Sequence, residues 1–440
     1  MGGMMQAAQG SQPRPSQAPQ GLRVDGGGTK TRWLVPFVLL LFFAWGFATV
    51  LVDALVPKLK GLFALTYTEV MLTQFCFFLA YLLMSLPASM ILSRIGYLRA
   101  VVGGLVVMAL GCLMFAPAAR LGVYPGFLFA LFVMASGITL LQVAANPLMA
   151  LLGAPDTAPS RLTFAQFFNA VGTTVGPHVG ATLILASGVS TPDPTTLSPA
   201  ELAAARQVGA QAVQTPFLLI AVGLLVLAVL FWVARNAASL GQAEHPAALR
   251  DTLKLLGRPA LLLAVMSIFL YVGAEVSLGS LMTNFLMLPG TLALPAMEAG
   301  RLVGLYWGGA MVGRLLGGFV LRRLHPGTAL AACALAAATL VGVAVVGTGV
   351  SAGVALIAVG LFNAIMFPTI FTLGLEGMGE ETAQASGLLC MAIVGGAVVP
   401  LLTGVLADHT TLSLALLCPL LCYVWIALYG WMHRRRAAVA

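Results

Sequence analysis

Runs of about twenty apolar residues recur from Trp33 to His433, each long enough for a helix to cross about 30 Å of hydrocarbon. Inside a bilayer no water is present to satisfy backbone N–H and C=O groups, so a spanning chain must form helices or a closed barrel. A barrel needs short alternating strands, and the sequence contains none. Composition agrees with helices: the 440 residues are 60% hydrophobic and 8% charged, where soluble domains carry about 25% charged residues. Twelve spans are expected, at 33–56, 69–92, 98–119, 124–152, 162–187 and 214–235, then 260–288, 297–321, 327–348, 351–374, 383–407 and 411–433. The fold class is thus an all-α integral membrane protein of twelve transmembrane helices. Residues 1–32, rich in Gly, Pro, Gln and Ser, read as a disordered tail. They lack the pattern of a cleavable signal peptide, so the first span reads as an uncleaved anchor.

Most Lys and Arg fall in the tail, in Arg94, Arg99, Arg161, Arg322 and Arg323, around a charged central loop, and in Arg434 to Arg436. Lys58, Lys60, Arg120, Arg206 and Arg301 lie on the opposite side. The positive-inside bias then puts both termini in the cytoplasm. The net charge of +8 is therefore a topology signal and gives no ground for a nucleic-acid partner. Cys76, Cys112, Cys333, Cys390, Cys418 and Cys422 all fall within spans, which argues against a disulfide framework or a metal site. The five histidines form no close ligand pair, and neither an HExxH motif nor a glycine-rich phosphate loop is present. An enzyme and an ATP-driven pump are both disfavoured.

The chain repeats once. The charged segment 236–258 separates an N-terminal half (33–235) from a C-terminal half (259–433), with a short cytoplasmic tail at 434–440. Gln142, Pro147 and Gly153 in the fourth span match Asn363, Pro368 and Gly374 in the tenth, with identical spacings. Gly172 and Pro177 in the fifth match Gly395 and Pro400 in the eleventh, and Gly46 in the first matches Gly273 in the seventh. Six spans return the chain to its starting side, so the halves run parallel about an axis normal to the membrane, with a site expected between them at the midplane.

The stretch Leu141–Gly180 concentrates the polar chemistry. Gln142 and Asn146 are four residues apart, and Gln166 and Asn169 three apart, so each pair shares a helical face. An unpaired amide in hydrocarbon costs on the order of 2–7 kcal/mol, so these faces must look inward. Pro147, Gly172, Gly176 and Pro177 predict kinks and close approaches beside them.

Seven stretches carry a resemblance: AWGFATVLVDALVP (44–57), LLQVAANP (140–147), RLTFAQFFNAVGTTVGP (161–177), YVGAEVSLGS (271–280), LYWGGAMVGR (305–314), GLFNAIMFPTIFTLGLEGMG (360–379) and SGLLCMAIVGGAVVP (386–400). The chain resembles the sugar transporters of the fucose–proton symporter family, within the major facilitator superfamily, and its bacterial glucose/galactose branch in particular. The resemblance implies two parallel six-helix halves and import of hexoses by alternating access, coupled to a proton or sodium gradient. Fucose symporters use an acid in the first span and a glutamate in the fourth. Asp53 matches the first; the second is Gln142, which cannot ionise, so a two-carboxylate proton relay is not carried over. Glutamine is what the glucose/galactose branch shows there, and that branch includes sodium-coupled members. The asparagine one turn before the first-span acid is Val50 here, so the sugar contacts of that helix are not carried over either.

Two carboxylates lie well inside spans, Asp53 and Glu275, at a cost of roughly 2.5–3.5 kcal/mol each on insertion scales. Asp53 is expected to couple transport, as a proton site or with Thr49, Gln142 and Asn146 as oxygen ligands of a sodium ion; an ion pair with Lys58 or Lys60 is the plainer alternative. Sodium is favoured over proton, and no other cofactor is expected. Glu275 could meet sugar hydroxyls or hold the halves together through Arg314. Hexoses also need amides for their hydroxyls and an aromatic plane for their C–H face: Gln142, Asn146, Gln166, Asn169, Asn284 and Asn363 offer the first, Trp307 or Phe367 the second. Gln74 is a further candidate. Glu376, Glu380 and Glu381 read as gate or loop partners for arginines. The expected partners are a hexose and the lipid bilayer, in a bacterial inner membrane, with the monomer as the working unit. An exporter on the same fold would favour an aromatic, Met-lined pocket, and a non-transporting sugar sensor would bind without uptake.

Overall fold

The computed structural model describes residues 33–63, 67–121, 124–185, 199–235 and 249–434; the side chains of 51–72, 119–121, 177–185, 199–216 and Ala296 are not part of that description. The expected tail 1–32, most of the central loop and residues 435–440 lie outside the described residues. Helices form where the apolar runs predict them. The N-terminal half contains α1 (Leu34–Phe63), α2 (Tyr67–Ile95), α3 (Tyr97–Leu121), α4 (Tyr124–Leu151), α5 (Ala158–Leu185) and α6 (Pro199–Ala234). A short helix that the apolar pattern does not predict, α7 (Leu249–Lys254), forms in the linker. The second half contains α8 (Pro259–Met287), α9 (Ala296–Val320) and α10 (Pro326–Val346) as the seventh to ninth spans. The tenth is split into α11 (Gly349–Asn363) and α12 (Met366–Leu375), the eleventh into α13 (Thr382–Met391) and α14 (Gly395–His409), and the twelfth into α15 (Leu412–Ala415) and α16 (Leu417–Met432). Among the described residues no strand occurs, and nine helical stretches, three of them each joining two of these helices, are long and apolar enough to cross a membrane.

The breaks do not fall at the prolines and glycines of the fourth and fifth spans. Both α4 and α5 run unbroken through Pro147, Gly172 and Gly176, while the tenth span opens at Ala364–Ile365 and the eleventh passes through a 3₁₀ turn at Ala392–Val394. The connection between α2 and α3 is one residue, Gly96, at φ 81, a left-handed conformation that glycine adopts without a Cβ penalty.

Helix partners repeat between the halves. In the first, α1 packs on α5, α2 on α4, and α3 on α4 and α6; in the second, α8 packs on α14, α9 on α11, and α10 on α11 and α16. The matched glycines stand at these crossings. A Cβ on Gly172 would sit 2.3 Å from the Phe43 carbonyl oxygen, and one on Gly395 would sit 2.0 Å from that of Phe269. Small residues thus set the distance between backbones, as membrane helices without a hydrophobic drive between them require.

The halves meet along α5 with α9 and α2 with α13. Hydrogen bonds across this seam gather toward the face that carries Arg94, Arg161 and Arg322. The Ser160 hydroxyl donates to the Gly318 carbonyl at 2.5 Å, Arg322 Nε donates to Ser160 Oγ at 3.4 Å, and Ser386 Oγ donates to the Val143 carbonyl at 2.7 Å. Gly387 lies against Ser89, where a Cβ would come within 2.5 Å of the serine Cβ.

Candidate substrate and ion site

Each half places an amide from its fourth helix under a tyrosine from its second. In the N-terminal half, Gln142 Nε2 donates to the Tyr81 hydroxyl at 2.5 Å, and both residues are buried. In the C-terminal half, Asn363 Nδ2 donates to the Tyr306 hydroxyl at 2.8 Å. Neither tyrosine stands out in the sequence; the available signal was a phenol inside an apolar run, whose hydroxyl must find a partner when buried.

One turn from Gln142, Asn146 is 0% exposed, and neither of its side-chain amide atoms has a hydrogen-bond partner. Buried polar groups are nearly always paired, and an orphaned one costs about 1–3 kcal/mol. An amide left in this state is suited to receive something that arrives later. The amides of α5 behave differently. Asn169 Nδ2 donates to the Phe42 carbonyl at 3.1 Å, which ties α5 to α1, whereas the Gln166 side chain is buried at 6% exposure. Thr49 on α1 donates its hydroxyl to the Trp45 carbonyl at 2.8 Å, leaving its oxygen lone pairs available. Asp53 lies on α1 four residues further on, and its side chain is outside the described residues.

In the C-terminal half Glu275 sits at mid-helix in α8. Tyr271, one turn earlier, donates its hydroxyl to Glu275 Oε1 at 2.8 Å and also lies 3.1 Å from the Asn363 carbonyl. Tyr306 donates to the Glu275 carbonyl at 3.3 Å. Glu275 Oε1 lies 4.0 Å from Arg314 Nη2, while Arg314 Nη1 reaches across the seam to the Gln166 carbonyl at 3.5 Å. Glu275, Tyr271, Tyr306 and Asn363 therefore form one connected group, with Arg314 at its edge. Trp307, on α9, packs edge-on against Tyr306 at 5.0 Å between centroids and covers Gly279. Trp307 as a whole remains 44% exposed. Asn284 is exposed near the far end of α8, more than two turns from Glu275, and Phe367 stacks on Phe371 within α12. Of the acids in the tenth-to-eleventh loop, Glu381 pairs with Arg258 at 2.5 Å.

Known proteins resemble this chain in sequence and in fold. The model of the Major Facilitator Superfamily matches residues 37–392. A glucose/galactose transporter of Brucella abortus is 49% identical over 395 residues, covering 89% of this chain and 92% of its own length. A putative glucose/galactose transporter of Helicobacter pylori is 42% identical over 396 residues (89% and 94%), and the L-fucose-proton symporter of Escherichia coli is 32% identical over 420 residues (92% and 94%). Among solved structures, the transporter FucP in the outward conformation superposes with a TM-score of 0.84 at 29% identity, covering 92% of this chain and 99% of that one. The relatives and the structural match are named as transporters, and the superfamily they share is one of transporters, not enzymes. The chain belongs to the major facilitator superfamily and, within it, to the fucose–proton symporter family of sugar transporters.

Proposed function

We propose that this protein imports hexoses of the glucose/galactose type by alternating access, coupled to a cation gradient through Asp53. The observation that carries the reading is the buried, unpaired amide of Asn146 one turn from Gln142. These groups, with Gln166 and Asn169 on α5, give the N-terminal half hydrogen-bonding capacity that its own packing leaves partly unused. The naming of the Brucella and Helicobacter relatives as glucose/galactose transporters supports the sugar class.

For the coupling ion we favour sodium. Asp53, Thr49 and the amide oxygens of Gln142 and Asn146 are hard oxygen ligands, and Gln142 offers no second proton-carrying carboxylate. A cation held by Asp53 neutralises a charge that the bilayer penalises and draws α1 toward α4, so that sugar and ion bind with mutual cooperativity. Proton coupling is the second reading, supported by the name of the Escherichia coli relative, an L-fucose-proton symporter. In this reading Asp53 is the titrating group. The protein works as a monomer in a bacterial inner membrane, with both termini in the cytoplasm.

Uptake of labelled glucose into proteoliposomes tests these statements. Accumulation should require an inward sodium gradient, and Asp53→Asn should abolish it while sparing sugar binding. Accumulation driven by a pH gradient alone, with no response to sodium, establishes the proton reading; accumulation by Asp53→Asn refutes both.

A further inference from the structure

We infer that Arg314 and Glu275 form a guanidinium–carboxylate grip that holds one hydroxyl of the sugar, making Arg314 a specificity-determining residue. This inference rests on the sugar-import reading and names the substrate contact contributed by the C-terminal half. A buried ion pair normally closes to about 2.7–2.9 Å, since charge-assisted hydrogen bonds are short and strong. Here Arg314 Nη2 and Glu275 Oε1 stand 4.0 Å apart, too far for a hydrogen bond. That gap has a specific size. A single oxygen placed about 2.8 Å from each atom would bridge it at an angle of about 90°, within the range hydroxyl groups adopt. A sugar hydroxyl can do this by accepting from the guanidinium and donating to the carboxylate, which two neutral amides facing each other cannot enforce as strictly.

The surroundings of Arg314 point the same way. Its Nε is buried and has no acceptor, and its cross-seam bond to the Gln166 carbonyl is at the 3.5 Å limit. A guanidinium has five donors, and leaving them unused inside a protein is costly. Glu275, by contrast, is anchored: Tyr271 fixes one oxygen at 2.8 Å. The two side chains keep 16% and 14% exposure, so a small molecule can reach them. They lie at the seam, because Arg314 touches a residue of the opposite half. Trp307 is seven residues before Arg314 on α9, two helical turns, so the two share one stripe of the helix. The half-exposed indole offers a plane for the C–H face of the same ring whose hydroxyl the grip holds.

The test is a deoxy-hexose series measured by equilibrium binding to the purified full-length protein. Wild type should bind the parent hexose and lose tenfold or more with the one analogue that lacks the gripped hydroxyl. In Glu275→Gln and Arg314→Gln the parent should bind about as weakly as that analogue does to wild type, and removing that hydroxyl should then cost less than threefold. Penalties for the other missing hydroxyls should be unchanged, and Arg314→Lys should recover part of the loss. If all penalties in the variants match those of wild type, or all change together, the grip is refuted: in the first case the sugar is held elsewhere, in the second the pair is structural. A glutamine variant that does not fold is replaced by Arg314→Lys, in which the penalty for the gripped hydroxyl should fall below that of wild type while the penalties for the other hydroxyls stay unchanged. Failure of wild type to bind any hexose refutes the import reading itself, and is thereby distinguished from failure of the grip.

Discussion

The fourth and tenth spans start from the same instruction and carry it out differently. Each has an amide, Gln142 or Asn363, followed five residues later by proline, Pro147 or Pro368. A proline inside a helix removes the N–H that would bond the carbonyl four residues back. In α4 the freed carbonyl is that of Val143, and the Ser386 hydroxyl from the opposite half donates to it at 2.7 Å. The helix continues through the proline without a break. In the tenth span the corresponding carbonyl is that of Ala364. The residue equivalent to Ser386, nine before the matched glycine of the fifth span, is Thr163, whose buried hydroxyl has no hydrogen-bond partner. There the helix breaks at Ala364–Ile365, and Pro368 becomes the third residue of α12, in a first turn where a missing N–H costs nothing. One local rule thus has two tertiary outcomes, depending on whether the facing half supplies a donor. The satisfied carbonyl ties the halves together on the α2/α13 side of the seam, whereas the Thr163 hydroxyl near α9 has no hydrogen-bond partner.

Three perturbations break or sharpen this contrast. The largest effect is expected at the helix crossings that both halves share. Gly395→Val would put its side chain against the Phe269 carbonyl, and Gly172→Val against that of Phe43. Each should cost about 4 kcal/mol or more, seen as loss of monodisperse protein on size exclusion, because backbone cannot yield as a side-chain tip can. If both halves tolerate valine, the crossings are not fixed by glycine. A smaller effect is expected at the Ser386 tie. Ser386→Ala leaves the Val143 carbonyl buried and unpaired and should cost about 1–3 kcal/mol of stability, read as a fall in melting temperature. Restoring the backbone donor with Pro147→Ala should abolish most of that loss in the double variant, a coupling that a simple cavity at position 386 would not show. The smallest effect is expected at Thr163. Thr163→Val removes a hydroxyl with no partner, so stability should be unchanged or higher by up to about 1 kcal/mol. A loss as large as that for Ser386→Ala would mean that the Thr163 hydroxyl carries a seam hydrogen bond of its own.

Much of the candidate site is legible in the residues themselves. Gln142, Asn146, Gln166 and Glu275 were marked by elementary cost, since amides and carboxylates in apolar runs must face inward. The tyrosines were not. Tyr81, Tyr271 and Tyr306 satisfy the hydrophobic pattern, and their role as hydrogen-bond partners depends on which helix faces them. Asn169 shows the converse: it was as conspicuous as Gln166, yet it spends its N–H on the Phe42 carbonyl to join two helices.

What the sequence determined by itself follows from the bilayer: twelve apolar runs must be helices because no other partner for their backbone exists there. The internal repeat then determined which helices cross at glycine, since a repeated packing contact demands a repeated small residue. Only the tertiary structure decided which proline-freed carbonyl is satisfied, where the tenth helix breaks, and that Arg314 stands 4.0 Å from Glu275 while reaching the other half. These depend on atoms brought together from helices far apart in the chain, and no periodicity within one helix encodes the distance to the next.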